Sequence, residues 1–289
     1  MKVRSVKMPL VTMKEILDKA RNENYAVGAF EFWSLDSAQA VVETAAELKL
    51  PAILQAGFIE CEFAGGIKNL YRIAKMVADD FPVPVALHLD HAEDYNFILS
   101  ALDAGFTSVM IDASKMSFEE NVNITRKVVE AARPYNVSVE SELGKLAGIE
   151  GTLNVSEEEA AQTDPDDAKK FVEATGIDAL AVAIGTAHGF YKFTPKINID
   201  RLKKIEARVA IPLVLHGGSA TPDDKVVEAI SHGIAKVNIC TEFVAAFGKQ
   251  YIATQNQSEY KYSVPSLFAP SKQAGKTLVR EKMKLFGRK

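Results

Sequence analysis

The stretch VPVALHLDHAEDYNFILSALDAGFTSVMI, residues 83–111, contains the pattern that decides the fold. It begins and ends with a short apolar run, at 83–89 and 108–111, and the longer segment between these runs is amphipathic. Nearly continuous hydrophobic runs of this length are typical of parallel strands that are buried on both faces. The stretch therefore predicts a strand, a helix and a second strand parallel to the first.

The same alternation continues along the whole chain, which has 289 residues and 47% hydrophobic residues. Helix starts are predicted at Asp36 and in the segment Thr221-Pro222-Asp223-Asp224, where an early proline precedes acidic residues. Helical patterns include 12–22, 35–48, 118–133, 165–175, 199–207 and 223–232. The eight predicted strands are 26–30, 52–55, 83–89, 108–111, 137–142, 179–184, 212–215 and 236–239.

Eight strand–helix units without a composition break predict an α/β protein of one domain, a TIM (β/α)8 barrel. We assign residues 1–289 to this domain, with the barrel over about 12–250 and a C-terminal loop and helix over 255–289. The final helix is expected at 270–286. An open doubly wound sheet is the alternative, but no Gly-x-Gly-x-x-Gly motif follows the first strand.

Composition and charge exclude several classes of protein. The net charge of −4 gives no global attraction to nucleic acid or to an anionic membrane. Cys61 and Cys240 form no paired motif, which favours a reducing compartment without disulfides. No apolar run is long enough to cross a bilayer, and no signal peptide is recognisable, so we expect a cytoplasmic protein.

Histidines cluster at the ends of predicted strands, which is where barrel enzymes carry their chemistry. Four of the five histidines (His88, His91, His188 and His216) follow strands three, six and seven. The fifth, His232, ends a helix, where capping is the expected role. Three imidazoles that leave a fourth position open are typical of a catalytic zinc site.

Acidic residues also end the predicted strands. Asp112 follows strand four, and Glu142 ends strand five, so both could orient the imidazole rings. Ion pairing with lysines of the barrel is the alternative for these carboxylates. A long connection at 144–163 follows strand five and is a candidate active-site lid.

Two loops predict a phosphate site. Gly217-Gly218-Ser219 follows strand seven, and Asn238-Ile239-Cys240-Thr241 follows strand eight. Backbone N–H groups in such turns bind oxyanions, and these loops form the recurrent phosphate site of barrels. The alternative is a tight turn that requires a positive φ at glycine.

These residues resemble the class II fructose-bisphosphate and tagatose-bisphosphate aldolase family, and more closely its shorter, class IIb-like branch. The likeness covers about 11–247 and is followed by a similar last helix. The motifs that carry it are His88-Leu89-Asp90-His91, Gly105-Phe106-Thr107-Ser108-Val109-Met110-Ile111-Asp112, Phe118-Glu119-Glu120-Asn121, Glu142-Leu143-Gly144, Ile184-Gly185-Thr186-Ala187-His188-Gly189 and Leu215-His216-Gly217-Gly218-Ser219.

The resemblance implies a reversible retro-aldol cleavage of a phosphorylated ketose to dihydroxyacetone phosphate and an aldehyde, through a zinc-bound enediolate. It implies that Asp90 is the acid/base and that Glu150, on the mobile loop, assists proton transfer at the enediolate carbon. A second cation and a homodimer or homotetramer are also compatible with the family. The implied metal positions are His91, His188 and His216 with Asp112 and Glu142, and the implied phosphate positions are Gly189, Lys192, Gly217, Gly218, Ser219, Asn238 and Thr241.

The pattern departs from the family after the first two strands. The family's Ala-Phe-Asn is replaced by Ala29-Phe30-Glu31, with Trp33 nearby, and Gly57 follows strand two where a serine is common. A glutamate there would repel a second phosphate. Glu31, Trp33 and Gly57 are therefore candidate specificity residues, and the substrate is expected to differ from fructose 1,6-bisphosphate.

Three other functions fit parts of the pattern. A lysine Schiff-base aldolase would use Lys236 in strand eight, although an ion pair with a strand-five glutamate would also explain this lysine. A non-catalytic phosphosugar-binding barrel would explain the departures at Glu31 and Gly57, but it has no need of Asp90 beside a metal. A zinc hydrolase would have no need of the phosphate loops.

Overall fold

The computed structural model of the chain describes residues 10–144, 161–189, 195–257 and 263–287, and the backbone of 148–150 and 153–155. Eight parallel strands form a closed barrel and neighbour one another in chain order, as a TIM barrel requires. They are β1 (Val27–Glu31), β2 (Ala52–Ala56), β3 (Val85–Ala92), β4 (Ser108–Ile111), β5 (Ser138–Leu143), β8 (Ala179–Val182), β9 (Leu213–Leu215) and β10 (Ile234–Ile239). The predicted fold class is confirmed.

Helices follow the barrel strands and cover the outside of the sheet. A short antiparallel hairpin, β6 (Gly148–Glu150) with β7 (Leu153–Val155), lies within the connection after β5. Whether this connection closes over a site stays a prediction. The helices are α1 (Met13–Asn22), α2 (Leu35–Leu48), α3 (Phe58–Phe63), α4 (Ile67–Asp79), α5 (Tyr95–Ala104), α6 (Phe118–Ala132), α7 (Pro165–Thr175), α8 (Ile199–Glu206), α9 (Asp223–Ile230), α10 (Thr241–Gln255) and α11 (Val264–Phe286).

The predicted helix over 35–48 is confirmed as α2, but the residue before it and the start of the last helix differ from the prediction. Asp36 does not precede α2 but lies in its first turn, because Ser34 caps the helix and accepts from the backbone N–H of Ser37. The predicted C-terminal helix is present, but it begins at Val264 and not at Pro270. Proline costs an interior helical hydrogen bond, so its presence indicated a helix start. The extensive packing of α11 on α10 and α2 offsets that cost.

The barrel interior has an apolar end and a polar end. Met13, Ile16 and Leu17 of α1 are buried against small residues at the amino ends of the strands, such as Ala86 and Ala179. Burying each large side chain contributes about 1.5–3 kcal/mol relative to leaving it in water. Because α1 closes this end, the polar side chains at the carboxyl ends of the strands are the ones that can meet a ligand.

Strand alternation explains which residues form the polar end. Side chains two apart on a strand point to the same face. His88 and Asp90 on β3, Glu140 and Glu142 on β5, and Lys236 and Asn238 on β10 are such pairs, and all six side chains are buried. The strands therefore bring six polar groups together inside the barrel, toward the carboxyl ends of the strands.

Candidate active site

A bulge in β3 brings Asp90 and His91 to the same site. Alternation alone would send these two adjacent side chains to opposite faces of the strand. The register between β3 and β4 shifts between Leu89 and Ala92, and His91 adopts a φ of 43°, in the left-handed region. Such a backbone conformation is costly for a residue with a Cβ and is concentrated at functional sites. The bulge re-aims His91 toward the end of the barrel.

Three histidines from three separate elements converge there. The ring centroid of His91 lies 5.0 Å from that of His188 and 4.6 Å from that of His216. One ring nitrogen of each histidine lies within 4.8 Å of the corresponding nitrogens of the other two. His188 follows β8 and His216 follows β9, so the three rings are tied by the barrel and not by local sequence. The predicted histidines are brought together.

Carboxylates hold two of these rings. His91 Nδ1 lies 2.8 Å from Asp112 Oδ2. His216 Nε2 lies 2.9 Å from Glu140 Oε1, and its Nδ1 lies 3.2 Å from Glu142 Oε2. A neutral His216 that donates from Nε2 to Glu140 leaves Nδ1 as the nitrogen that can bind a metal. Asp112 therefore orients His91, and Glu140 orients His216. Glu142 lies at the nitrogen left for a metal, and metal ligation by Asp112 or Glu142 stays a prediction.

The charges of the cluster suit a divalent cation. Burial alone would lower the pKa of His91, but Asp90, Asp112 and Glu142 outweigh it and raise the pKa to about 10. Burial, and then the neighbouring His91 and His216, hold the pKa of His188 well below its ordinary value. One cation surrounded by neutral imidazoles resolves this conflict, and three imidazoles with carboxylates behind them are a zinc donor set. The residues thus fit a zinc ion.

Asp90 is buried and negatively charged beside the histidines. Asn238 Nδ2 donates to Asp90 Oδ2 at 3.1 Å, and His88 Nε2 lies 3.3 Å from Asp90 Oδ1. Burial would raise the pKa of Asp90, but the nearby His91 and Lys236 outweigh it and hold the pKa well below its ordinary range. Asp90 is therefore an anion that can accept a proton. The side chain of Asn238 is directed to this carboxylate, and its role in binding phosphate stays a prediction.

Lys236 forms the ion pair that was the alternative to a Schiff-base role. Its Nζ donates to Glu140 Oε2 at 2.8 Å, and the side chain is fully buried. Burial would raise the pKa of Glu140, but Lys236 and the adjacent histidines lower it to about 2. The pair neutralises the barrel centre, and Glu140 links Lys236 to His216.

The two predicted phosphate loops lie at neighbouring strand ends. Gly217 has a φ of 65°, and a Cβ at this position would collide with the carbonyl oxygen of Ala187. Gly218 donates its backbone N–H to Asn238 O at 3.2 Å, which joins the two loops. Thr241 is the first residue of α10, so the amino end of this helix opens there. The close approach explains why glycine is needed, and the turn lies next to the start of α10, where an anion is stabilised.

Of the other residues that were predicted to bind phosphate, the structure describes some and not others. Ser219 is buried, and its Oγ accepts from the backbone N–H of Glu242 at 3.3 Å. Gly189 follows His188 with a φ of 87°. Lys192 and the side chain of Glu150 lie outside the described residues, so their assigned roles stay predictions.

Glu31 ends β1 inside the barrel and points inward. It is 4% exposed, and its Oε2 accepts from Gln55 Nε2 at 3.1 Å. Burial, Glu60 and Asp90 raise the pKa of Glu31 well above its ordinary value. The repulsion argument made from sequence assumed an anion, whereas this environment favours the protonated form.

Trp33 lies beside Glu31 in sequence but has a packing role. Its ring contacts Phe243 and Phe247 of α10, with centroid distances of 5.7 and 5.2 Å. The backbone N–H of Trp33 donates to Ser37 Oγ at 3.0 Å. These contacts explain the tryptophan without a ligand.

Sequence reasoning missed Gln55 and Glu60, which face Glu31. A signal for Glu60 was present, since a glutamate three residues after the helix-start Gly57 is the capping-box position. For His232, the sequence predicted only a role as a helix cap. His232 does follow α9, and its Nδ1 lies 3.5 Å from Glu206 Oε2, away from the histidine cluster.

Comparisons with known proteins agree with this geometry. The family model described as fructose-bisphosphate aldolase class-II matches residues 11–289. A fructose-bisphosphate aldolase of Thermus caldophilus is 42% identical over 301 residues, covering 96% of this chain and 98% of the relative. The D-tagatose-1,6-bisphosphate aldolase subunit GatY of Klebsiella oxytoca is also 42% identical, over 280 residues, with 97% and 98% covered.

Solved structures show the same architecture. The YdjI aldolase of Escherichia coli K12 superposes with a TM-score of 0.85 at 35% identity, covering 96% of this chain and 97% of the other. A putative fructose-1,6-bisphosphate aldolase of Coccidioides immitis gives a TM-score of 0.85 at 29% identity, with 95% and 96% covered.

Proposed function

The chain belongs to the class II fructose-bisphosphate aldolase family, and from this premise we propose that it cleaves a phosphorylated ketose reversibly into dihydroxyacetone phosphate and an aldehyde. The membership makes the protein an aldolase. The observation that carries the proposed reaction is the ionised, buried Asp90 next to the cluster of His91, His188 and His216. A binding protein would have no use for a proton acceptor at this place.

The three histidines would hold zinc, which supplies a Lewis acid that stabilises the enediolate of the departing dihydroxyacetone phosphate. Asp90 removes the proton from the hydroxyl of the carbon that becomes the aldehyde. The O–H electrons form the aldehyde carbonyl, and the electrons of the broken carbon–carbon bond move to the dihydroxyacetone phosphate half. Asn238 and His88 hold Asp90 in place. Glu150 is the proposed donor of the proton to the new carbanionic carbon.

The loops after β9 and β10 are proposed to hold the phosphate of the dihydroxyacetone half. The turn at Gly217, Gly218 and Ser219 would lie against the phosphate, together with the start of α10 at Thr241. Binding of the phosphate fixes the reacting carbons next to Asp90, and part of its binding energy can close the loop after β5. Gly189, Lys192 and Asn238 complete the set predicted for this grip.

The proposed substrate carries no phosphate at its far end. The names of the two relatives that are 42% identical to this chain specify bisphosphate substrates. This chain has Glu31 where a neutral amide is usual and Gly57 where a serine is usual, and Glu31 is buried at the end of β1 with Glu60 and Asp90 near it. A dianionic group beside these carboxyls would be destabilised by repulsion and desolvation.

Other features of the proposal concern the whole protein. We assign 1–289 to a single domain that acts as a homodimer or homotetramer in the cytoplasm. Both cysteines are free, as a reducing compartment would allow. Among the helices of the described residues, none is long and apolar enough to cross a bilayer.

The test is release of dihydroxyacetone phosphate from a panel of ketose mono- and bisphosphates, measured with the protein as purified, after EDTA and after zinc is restored. We expect cleavage of at least one sugar, its loss with chelator and its recovery with zinc. Cleavage that survives complete removal of metal would reject the zinc assignment, and borohydride trapping at Lys236 would follow. Bound zinc without cleavage of any sugar would favour a binding protein.

A further inference from the structure

One backbone N–H group joins two carboxyl groups at the carboxyl ends of β1 and β2. Gly57 N donates to Glu31 Oε1 at 3.1 Å and to Glu60 Oε2 at 3.0 Å. Because both oxygens accept from the same hydrogen, the two carboxyls lie against each other. Glu60 comes from the first turn of α3, so this contact joins a strand end to the next helix start.

Glu31 is buried and Glu60 is half-buried, and two such carboxyls in contact cannot both remain ionised without an electrostatic cost. The groups that face Glu31 are the carboxyls of Glu60 and Asp90, the amide of Gln55 and the thiols of Cys61 and Cys240. Burial raises the pKa of Glu31 well above its ordinary value, and Glu60 and Asp90 raise it further. A proton between Glu31 and Glu60 relieves the repulsion.

The amide of Gln55 supplies an independent sign that a ligand belongs here. Gln55 is fully buried, and its Nε2 donates to Glu31 Oε2. Its Oε1 is buried and accepts no hydrogen bond from the described residues. A buried acceptor without a donor is destabilising, so a hydroxyl donor at this place would be stabilising.

We propose that Glu31 and Glu60 share one proton and, together with Gln55, bind hydroxyl groups at the end of the sugar that becomes the aldehyde. The inference rests on the proposed aldol cleavage and names the chemistry of its distal subsite. A carboxyl pair with one proton offers one O–H donor and several acceptor oxygens, as a sugar hydroxyl requires. A phosphate dianion can only accept, and it would be repelled by the carboxylate charge that remains on the pair.

The position of the pair agrees with this assignment. Asp90 acts at the bond between the two halves of the sugar, and the proposed phosphate loops follow β9 and β10. Glu31 and Glu60 approach from β1 and α3, and a Cβ on Gly57 would meet both Glu60 Oε2 at 3.2 Å and Asp90 O at 3.6 Å. The pair is therefore a neighbour of Asp90 on the side of β2.

The experiment compares Glu60→Gln with the matched control Glu62→Gln, an exposed residue on the same helix. Glutamine keeps the oxygen that accepts from Gly57, so α3 retains its start. Both zinc-loaded variants are assayed on ketohexose 1-phosphates and on the corresponding 1,6-bisphosphates. We expect Glu60→Gln to lower kcat/KM for the monophosphate about tenfold, mainly through KM, and to spare or improve the bisphosphate. Glu62→Gln should leave unchanged the ratio of kcat/KM for the monophosphate to kcat/KM for the bisphosphate.

A second measurement follows the shared proton without any sugar. Infrared spectra of the holoenzyme at neutral pH should contain a protonated carboxyl stretch that disappears in Glu31→Gln and shifts in frequency in Glu60→Gln, because burial keeps the proton on Glu31 when its partner changes. Equal ratios for Glu60→Gln and wild type, or absence of this band from wild type, would overturn the inference. If the zinc-loaded wild type cleaves no sugar, the proposed function fails, and the infrared result alone then decides whether the carboxyl pair exists.

Discussion

Asp90 and His91 are neighbours in the chain, yet their roles differ because their surroundings differ. Asp90 receives hydrogen-bonding groups from β3 and β10, whereas His91 is held by Asp112 from the end of β4. The bulge between Leu89 and Ala92 is what allows both side chains to face one pocket. At the residue scale, the site depends on this local departure from a regular strand.

Asp90→Asn should lower kcat by a factor of about 10²–10⁴, because an amide cannot take the hydroxyl proton. Zinc content, measured by atomic absorption, should stay at the wild-type level, because the three histidines remain. Asp94→Asn is the matched control: Asp94 caps α5 through its carboxylate, and asparagine caps a helix equally well. An active Asp90→Asn variant would remove the carboxylate from the mechanism.

Glu31→Gln should change how stability depends on pH. The pKa of Glu31 is raised in the folded state, so the folded chain binds more protons than the unfolded chain between the ordinary and the raised pKa. Stability from this group is therefore complete at acidic pH and is lost as pH rises through that window, by up to about 1.4 kcal/mol per pH unit. The free energy of unfolding of both proteins is measured with urea from pH 5 to pH 8. As pH rises, the variant should become more stable relative to the wild type. A difference that stays constant would contradict the buried, protonated state.

At the scale of elements, α11 packs closely on its neighbours although it contains a proline and a glycine, which are poor helix formers. Gly275 of α11 is buried, and a Cβ added there would overlap the ring of Phe247 in α10. Lys276 joins α11 to α2 through Glu43 and Glu47, at 2.9 Å each. The helix is thus fixed by close contact on one side and ion pairs on the other.

Gly275→Ala should destabilise the protein by about 1–3 kcal/mol, because the methyl group would force α11 away from Phe247. Gly248→Ala in α10 is the control: it is exposed, and an added Cβ there meets nothing within 4 Å. Since alanine favours a helix over glycine, this control should gain about 0.5–1 kcal/mol. The midpoints of urea denaturation compare the two. Equal effects would show that α11 does not need the close approach.

At the scale of the whole molecule, the histidine cluster connects parts of the barrel that are distant in sequence. His91, His188 and His216 come from the ends of β3, β8 and β9. A cation that binds all three binds the folded chain and not the unfolded one. Zinc should therefore stabilise the entire barrel and not only its rim.

Zinc at about one hundred times its dissociation constant should add about 2.7 kcal/mol to the free energy of unfolding. The melting temperature of the protein is measured with zinc and after EDTA. His188→Ala should abolish the zinc-dependent increase, whereas His232→Ala should retain it, because His232 pairs with Glu206 outside the cluster. A loss in both variants would place the metal elsewhere.

The sequence by itself determined the order of strands and helices, the barrel and the inward faces of the strands. These follow from periodicities of two and 3.6 residues, which are local properties of the chain. The same alternation makes Glu140 and Lys236 inward-facing, so their ion pair could be expected. Motifs around His91, His188 and His216 were sufficient to recognise the family, which the matches confirmed.

Only the tertiary structure decided the bulge at His91, the turn of Asn238 toward Asp90, the contact of Glu31 with Glu60, and the start of α11 before Pro270. Each depends on atoms that are far apart in the chain and meet only when the barrel closes. Local propensity contains no term for such contacts, so a glutamate that reads as an anion in the sequence can be a proton-sharing acid in the folded protein.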